Sequence, residues 1–181
     1  MESEIDKPMK KISFKMMSVL FIIRDKFSDP MKKIIKAKVK KGDYVLDYGC
    51  GPGTYSICTA KIVGDFGKVY AADIHPLSAD KVHKKALKEG LNNIDTITTD
   101  CSTGLGDNSI DSILCFDMFH MLNDPQKVLK EFHRVLKPNA ILSLDCHHMK
   151  DIGSAVEKTG LFRLDEKIEK TYNFTKIIKT I

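Results

Sequence analysis

Three glycines and an acid stand close together in the stretch VLDYGCGPG, residues 45 to 53. Asp47 precedes three glycines at alternate positions, namely Gly49, Gly51 and Gly53. The first two allow the backbone to turn sharply and to approach a ligand closely. The G-x-G-x-G pattern lacks the third glycine of the dinucleotide fingerprint and the G-K-[ST] of a phosphate loop. An acid beside this loop would repel a pyrophosphate, and it suits a ligand that carries a free ammonium.

Two more acids follow the next apolar runs. Asp73 ends the second run, 24 residues after Gly49, and Asp100 ends the third. A carboxylate at the end of the second strand can accept both hydroxyls of a ribose, and Asp100 can accept from an exocyclic amine. Because ligands of open α/β sheets lie beyond the carboxyl ends of the strands, the three loops offer sites for an amino acid, a ribose and an amino-purine. Together these groups describe S-adenosylmethionine.

The elements that must position these loops alternate along the chain. Short apolar runs predict strands over residues 44–49, 68–73, 94–99, 109–116 and 140–146. Helical spacing predicts helices over residues 54–63, 76–90, 124–138 and 151–160. This alternation favours a parallel sheet with helices on both faces. Two alternating strands, residues 161–170 and 172–181, close the chain, and their tight connection through Thr171 requires an antiparallel hairpin. The predicted fold class is therefore α/β, with a doubly wound, mixed sheet whose one reversed strand comes from the C-terminus.

An apolar helix is predicted before the first strand, over residues 12 to 27. It has two apolar stripes at helical spacing. The first stripe comprises Ile12, Met16, Val19, Leu20, Ile23 and Phe27, and the second comprises Phe14, Met17 and Phe21. One stripe is enough to pack on a domain, so the other is expected to cover a ligand, a partner or a membrane surface. A further helix is predicted to begin with Asp29 as its cap and Pro30 in its first turn.

Basic residues are concentrated ahead of the glycine loop. Residues 7 to 41 hold twelve Lys or Arg and two acids, a local charge of 12 − 2 = +10, although the whole chain carries only +5. Such a segment attracts phospholipid, nucleic acid or an acidic substrate; a solvated helix face is the alternative. Five scattered cysteines without a CxxC pair favour a reducing, cytoplasmic location over a disulfide framework or a zinc site. The apolar segment 16–23 is too short to span a membrane.

These motifs resemble the class I S-adenosylmethionine-dependent methyltransferases, in the branch of small-molecule and quinone-type enzymes. The resemblance is strongest over residues 40 to 150, and four segments carry it: VLDYGCGPG, VYAADIHP, TTDCSTG and VLKEFHRVLKPNAILSL. It implies a Rossmann-like, seven-stranded sheet with an N-terminal helical extension. Residues 1–41 would form a helical cap or lid, and residues 42–181 would form the S-adenosylmethionine-binding domain.

The resemblance also implies roles for individual residues. In chain order the expected cofactor contacts are Asp47, Gly49, Cys50 and Gly51 at the methionine part, Gly53 at the start of the next helix, Asp73 at the ribose, Ile74 against the adenine, Asp100 and Cys101 at the adenine edge, and Phe116 on the methyl-transfer face. The segment FDMFHML after the fourth strand departs from the family's usual pattern, which leaves the substrate side open.

Histidines are the candidate general bases, and a base is needed only if the acceptor must lose a proton. His120 follows the fourth strand, and His147 and His148 end the fifth; the resemblance implies that these strands are neighbours. Successive strand residues point to opposite faces, so at most one of the pair can join His120. His120 and His147 are therefore the predicted catalytic residues, with ordinary loop histidines as the alternative. No metal site is predicted, because adjacent histidines on opposite faces make poor co-ligands.

The expected function is transfer of a methyl group from S-adenosylmethionine to a small, apolar or amphipathic molecule. Residues 9–27 are expected to fold over the site as a lid, with the second stripe toward the acceptor; a helix buried in the fold or in a homodimer interface is the alternative. RNA or protein methylation is a further alternative, although the Asn/Asp-Pro-Pro-aromatic signature of base-amino methyltransferases is absent. Another alternative function is that the protein binds S-adenosylmethionine without catalysing a reaction. The lysines leave open a peripheral contact with an anionic surface.

Overall fold

The strands and helices follow the predicted alternation. The computed structural model describes residues 7–27, 29–145, 149 and 151–178, and for residues 21–27 it describes the backbone alone. The strands are β1 (Tyr44–Tyr48), β2 (Lys68–Asp73), β3 (Ile94–Thr98), β4 (Ile110–Phe116), β5 (Leu136–Asp145), β6 (Phe162–Ile168) and β7 (Thr171–Lys176). The helices are α1 (Lys11–Phe27), α2 (Pro30–Lys36), α3 (Thr54–Val63), α4 (Pro76–Lys88), α5 (Pro125–Val135) and α6 (Ile152–Glu157).

The seven strands form one sheet in the order β3-β2-β1-β4-β5-β7-β6. Neighbouring strands from β3 to β5 are parallel, whereas β7 is antiparallel to both β5 and β6. This arrangement confirms the predicted mixed, doubly wound sheet with one reversed strand. Chain order reverses between β1 and β4, so the carboxyl ends of these two strands border a crevice where ligands bind in folds of this kind.

Alternate residues of the central strands pack on opposite faces of the sheet. Val45 and Leu114 join α2 and α3 in one apolar cluster, while Leu46 and Ile113 join α5 and α6 in another. This period of two follows from the pleat of a strand, and it explains why these strands read as continuous apolar runs. All four side chains are fully buried. The sheet is therefore covered on both faces, and its strand ends remain the place for a site.

Helix starts agree with the sequence signals. The carboxylates of Asp29 and Asp124 accept the backbone N–H groups of Met31 and Lys127, and a proline follows each cap. An unpredicted cap begins α4, where Nδ1 of His75 accepts the N–H of Leu77 at 3.1 Å. These caps satisfy N–H groups that have no partner within a helix.

Two strands differ from the prediction at their ends. β5 begins at Leu136, immediately after α5, and its pairing register with β4 shifts between Ile110 and Ser112. Pro138 lies in the shifted part, where a residue without an N–H cannot pair in a ladder. β7 begins at Thr171 and is buried at four successive positions instead of alternating, because it lies between two strands. Within the described ranges, no helix is both long and apolar enough to cross a bilayer.

Candidate functional site at the carboxyl edge of the sheet

An open cleft lies at the carboxyl ends of β1, β2 and β4, at the predicted crevice. The empty space of the cleft, including the part that is open to solvent, is about 1110 Å³. One side of the cleft carries strand-end carboxylates and the glycine loop. The other side, at the end of β4, is mainly apolar and includes Phe116, Met118, Met121 and Leu122. Phe14 and Met17 of α1 also line the cleft, and Phe14 lies beside His75 on the carboxylate side.

The glycine loop turns tightly and uses its own amides internally. Gly49, Gly51 and Gly53 all have positive φ, at 77°, 51° and 83°, a region that glycine occupies without steric cost. A Cβ on Gly49 would lie 2.5 Å from Cγ of Met118 in the loop after β4, so only glycine fits there. The N–H groups of Gly49 and Cys50 donate to Ala72 O, and that of Gly53 donates to Cys50 O. A loop with its amides engaged in this way lacks the N–H cradle that phosphates require.

Asp47 lies beneath the loop and is 1% exposed. Ser56 Oγ donates to its Oδ2 at 2.5 Å, which fixes the start of α3 against β1. Burial raises the pKa of the Asp47 carboxyl to about 7, and the nearby Asp73 adds to the increase while Ser56 opposes it. Asp47 therefore faces the back of the glycine loop, and its contact with a ligand ammonium stays a prediction.

Asp73 lies on the cleft surface and holds two loops together. Its Oδ2 accepts the N–H of Gly51 at 2.8 Å, and its Oδ1 accepts the N–H of His75 at 2.7 Å. Burial raises the pKa of this carboxyl, and the two backbone donors oppose the increase. Each carboxylate oxygen has a second lone pair, so Asp73 can still accept from a ligand that enters the cleft.

The loop after β3 brings Asp100 to the cleft and turns Cys101 away from it. The hydroxyl of Tyr48, at the end of β1, donates to Asp100 O at 2.9 Å and so fixes this loop to the sheet. Cys101 is 5% exposed and belongs to the apolar cluster on the α5 side of the sheet. Its N–H donates to Thr99 Oγ1 at 3.1 Å.

A buried ion-pair network closes the far wall beside Phe116. Lys33 of α2 places its Nζ 2.8 Å from Asp145 Oδ2 and 3.1 Å from Asp117 Oδ2. Burial by itself would lower the pKa of Lys33, but the tyrosine ring of Tyr55 and the two carboxylates outweigh burial and raise it. The ammonium also lies 5.7 Å from the centre of the Phe116 ring. Asp117 also lines the cleft, and its backbone is left-handed, at φ 57°.

Helix α1 lies against the cleft through its second stripe. Phe14 is 1% exposed, and its ring stacks on that of His75. Met17 lines the cleft one turn further along. The side chain of Phe21 lies outside the described residues.

The two predicted catalytic histidines are not seen together. His120 belongs to a 3₁₀ turn, Phe119–Met121, and its side chain is exposed, while Met121 of the same turn lines the cleft. His147 and His148 lie outside the described residues. The geometry therefore places His120 near the cleft, and its catalytic role stays a prediction.

The structure gathers most of the predicted cofactor residues around one space. Those that line the cleft are Gly49, Cys50, Gly51, Asp73, Ile74, Asp100 and Phe116. Three others support it from behind: Asp47 and Cys101 are buried, and Gly53 contacts α4, where a Cβ would lie 2.7 Å from Val82 Cγ2. Sequence reasoning missed Lys33, Asp117 and His75. His75 stands two residues after a strand-end acid and Asp117 directly follows the fourth apolar run, signals that could have indicated both, whereas Lys33 has no local signal.

Comparison with known proteins agrees with this architecture. Residues 46–144, just over half of the chain, match the family described as "Methyltransferase domain". Demethylmenaquinone methyltransferase of Geobacillus stearothermophilus is 34% identical over 107 residues, covering 59% of this chain and 46% of the relative. The enzyme of the same name from Lactobacillus johnsonii is 35% identical over 106 residues, covering 58% and 43%. The chain thus spans less than half the length of these curated relatives.

A solved structure extends the likeness to most of the chain. The SAM-dependent methyltransferase from Aquifex aeolicus superposes with a TM-score of 0.76 and 30% identity, covering 86% of this chain and 93% of its own. The chain belongs to the methyltransferase domain family, in the class I, S-adenosylmethionine-dependent group.

Proposed function

We propose that this protein transfers a methyl group from S-adenosylmethionine to a small, apolar or amphipathic acceptor. The observation that carries the proposal is the two-sided cleft, in which Asp73 and Asp100 lie on one side and an apolar wall around Phe116 and Met118 lies on the other. The carboxylates suit the hydroxyls and amine of a nucleoside. The apolar wall suits an acceptor with little charge.

The residues on the polar side fit the cofactor. Asp73 has lone pairs available for the ribose hydroxyls, and Ile74, the next residue, offers an apolar contact for the adenine. The glycine loop keeps its amides occupied, so it suits a ligand without phosphates. When bound, S-adenosylmethionine supplies an electrophilic methyl group, which the acceptor atom takes in line with the breaking bond to sulfur, with loss of a proton if that atom carries hydrogen.

The chain's own residues position the acceptor and exclude water. Phe116 and Met118 form the wall at the end of β4, and the Asp117 carboxylate between them can accept a hydrogen bond from an acceptor hydroxyl. Lys33 holds that carboxylate in place from behind. Alignment of the reacting atoms in a dry site accounts for much of the rate gain in such transfers.

Helix α1 supplies the cover over this site. Phe14 and Met17 line the cleft, and none of the described side chains of α1 belongs to the three apolar clusters. We therefore expect the helix to act as a lid. Deletion of residues 1–27 is expected to leave a folded protein that binds cofactor more weakly and no longer methylates. Unfolding or aggregation of the truncated chain would show that the helix belongs to the core.

The names of the two relatives suggest the first acceptor to try. Both are demethylmenaquinone methyltransferases, so a quinone-type acceptor is the proposed class. Calorimetry should detect binding of S-adenosylmethionine and of its demethylated product, but not of NAD. Transfer of a labelled methyl group should then be assayed with demethylmenaquinone, a lipid extract and total RNA. Label in the RNA alone would contradict the proposed acceptor class, and binding without transfer to any acceptor would favour a non-catalytic role.

A further inference from the structure

The outer face of α1 is apolar and exposed. Ile12, Met16, Val19 and Leu20 are 75%, 64%, 55% and 61% exposed. At 100° per residue these side chains lie opposite the inner face that carries Phe14, which is buried against the cleft. Four large apolar side chains in one row on a helix are more than the scattered exposed residues of an ordinary surface. We call the row formed by these four residues the outer ridge.

Positive charge lies directly beside the outer ridge. Residues 7 to 20 contain four lysines and no acid. Lys10, Lys11 and Lys15 are exposed on α1 or immediately before it. Lys11 and Lys15 lie on the flank of the ridge at helical spacing, from which their long side chains can extend to a charged surface while their stems cover apolar atoms.

The outer ridge and its neighbouring lysines together indicate which partner binds this face of α1. A second copy of the chain would bring two lysine-flanked patches of the same positive charge into one interface, since a two-fold interface uses the same patch on both subunits. Such like-charge contacts disfavour association. An anionic lipid surface instead offers acyl chains to the ridge and phosphate groups to the lysines.

We propose that α1 docks on the surface of an anionic bilayer through its outer ridge, with Lys11 and Lys15 at the level of the lipid phosphates. The helix then lies in the plane of the interface without crossing it. Its inner face remains on the cleft, so the lid is the element that contacts the lipid. This inference does not depend on the identity of the methyl acceptor, because docking can be measured without any transfer reaction.

Co-sedimentation of the full chain with vesicles tests the inference. Vesicles of phosphatidylcholine with 30% phosphatidylglycerol should bind the protein, and vesicles of phosphatidylcholine alone should bind it at least tenfold more weakly. Raising the salt concentration should weaken the anionic binding, because charges near a lipid surface are screened. Equal binding to both kinds of vesicle, or none to either, would overturn the proposal.

A ridge variant and its matched control separate docking from general stickiness. Met16→Glu with Val19→Glu should lower vesicle affinity at least tenfold, because two apolar anchors are lost and two negative charges are added. Leu87→Glu is the control, since Leu87 is 64% exposed near the C-terminal end of α4 and outside the outer ridge. Thermal melting should show that both proteins are folded. The same loss in the control would contradict a specific docking face.

The lysines are tested in the same way. Lys11→Gln with Lys15→Gln should weaken anionic vesicle binding about 25-fold, at about fivefold per lysine near the surface. Lys84→Gln with Lys88→Gln removes the same charge from an exposed part of α4 and should have little effect. Sedimentation of the unmodified protein without lipid completes the test. A concentration-dependent dimer that the ridge variant abolishes would assign the ridge to a second copy and overturn the proposal.

Discussion

The ring of Phe14 stacks on the imidazole of His75, with the ring centroids 4.1 Å apart and the planes 15° from parallel. The Nδ1 atom of the His75 ring caps α4, and the backbone N–H of His75 donates to Asp73. The contact therefore links α1, through His75, to Asp73, the residue that is expected to hold the ribose. Lys81 of α4 adds a cation over the same Phe14 ring, 5.7 Å from its centre. A change in the position of α1 would therefore alter the contacts of His75, which lies beside Asp73 at the expected cofactor site.

Phe14→Ala should release α1 without unfolding the domain. The variant loses the stacked ring, and the described side chains of α1, up to residue 20, do not belong to the apolar clusters of the fold. Amide hydrogen exchange should therefore rise over residues 11–20 and stay unchanged in β1 and β4. Ile12→Ala is the control, because Ile12 is 75% exposed and its removal should change exchange little. Unchanged exchange in the helix of the Phe14 variant would show that other contacts hold it.

The two stripes of α1 illustrate what the sequence could and could not predict. Periodicity separated Phe14 and Met17 from Ile12 and Met16, because angles around a helix follow from residue spacing alone. It could not determine how the helix is rotated against the domain. That depends on a partner far along the chain, His75, whose flat ring accepts Phe14.

The features of the site also divide into those that the sequence predicts and those that it does not. Gly49, Asp73 and Asp100 were predictable because each stands where an apolar run ends, and parallel strands bring such ends together. Asp117 and Asp145 also stand at strand ends, but their pairing with Lys33 was not predictable, because Lys33 lies on α2 and meets them only once the sheet is assembled.

Asp73→Ala should weaken binding of S-adenosylmethionine by roughly 2–4 kcal/mol, the loss expected for two hydrogen bonds to a charged acceptor. The effect includes the loops, because Asp73 also accepts from Gly51 and His75. Asp73→Asn removes the charge and keeps only one acceptor oxygen, so it can retain at most one of these two backbone contacts. Asp95→Ala is the control, since this exposed acid on β3 pairs with Lys68. An unchanged dissociation constant, measured by calorimetry, would show that the ribose is held elsewhere.

Stability should fall with rising pH because of Asp47. Its pKa is raised to about 7 by burial, so between its ordinary value near 4 and about 7 the folded state holds a proton that the unfolded state has lost. The free energy of unfolding therefore decreases as the pH increases over this range. The stabilisation that is present at low pH is lost as the pH rises through 7. From pH 5 to pH 8 the loss from this group is about 2–3 kcal/mol.

Asp47→Asn is the variant that isolates this contribution, because the amide is neutral throughout and can still accept from Ser56. Urea unfolding of both proteins at pH 5 and pH 8 gives the comparison. The wild type should lose more stability than the variant between the two conditions. A difference between the proteins that stays constant with pH would contradict the assigned protonation of Asp47.

Lys33→Met should destabilise the protein by about 3 kcal/mol, because it leaves Asp145, whose side chain is 2% exposed, without its cation. Lys36→Met on the same helix is the matched control. Lys36 pairs with Glu169 at 2.7 Å, but Glu169 is 76% exposed, and such pairs contribute at most about 1 kcal/mol. Denaturant unfolding should therefore separate the two variants clearly. Equal losses of stability in the two variants would show that the buried network contributes no more to stability than the exposed pair does.

His120 is best tested through rate rather than stability, because it lies on an exposed turn beside the cleft. If it removes a proton from the acceptor, His120→Gln should lower kcat about 10²–10⁴-fold. The binding of S-adenosylmethionine should stay unchanged, since the carboxylates that are expected to hold it lie on the loops after β2 and β3. His83→Gln, on the exposed face of α4, provides a matched substitution far along the chain from the turn.

The comparison requires the initial rate of labelled methyl transfer at several pH values for both variants. A His120 variant with the wild-type rate and the wild-type pH profile would identify this residue as an ordinary loop histidine and leave the proton to the acceptor or to solvent.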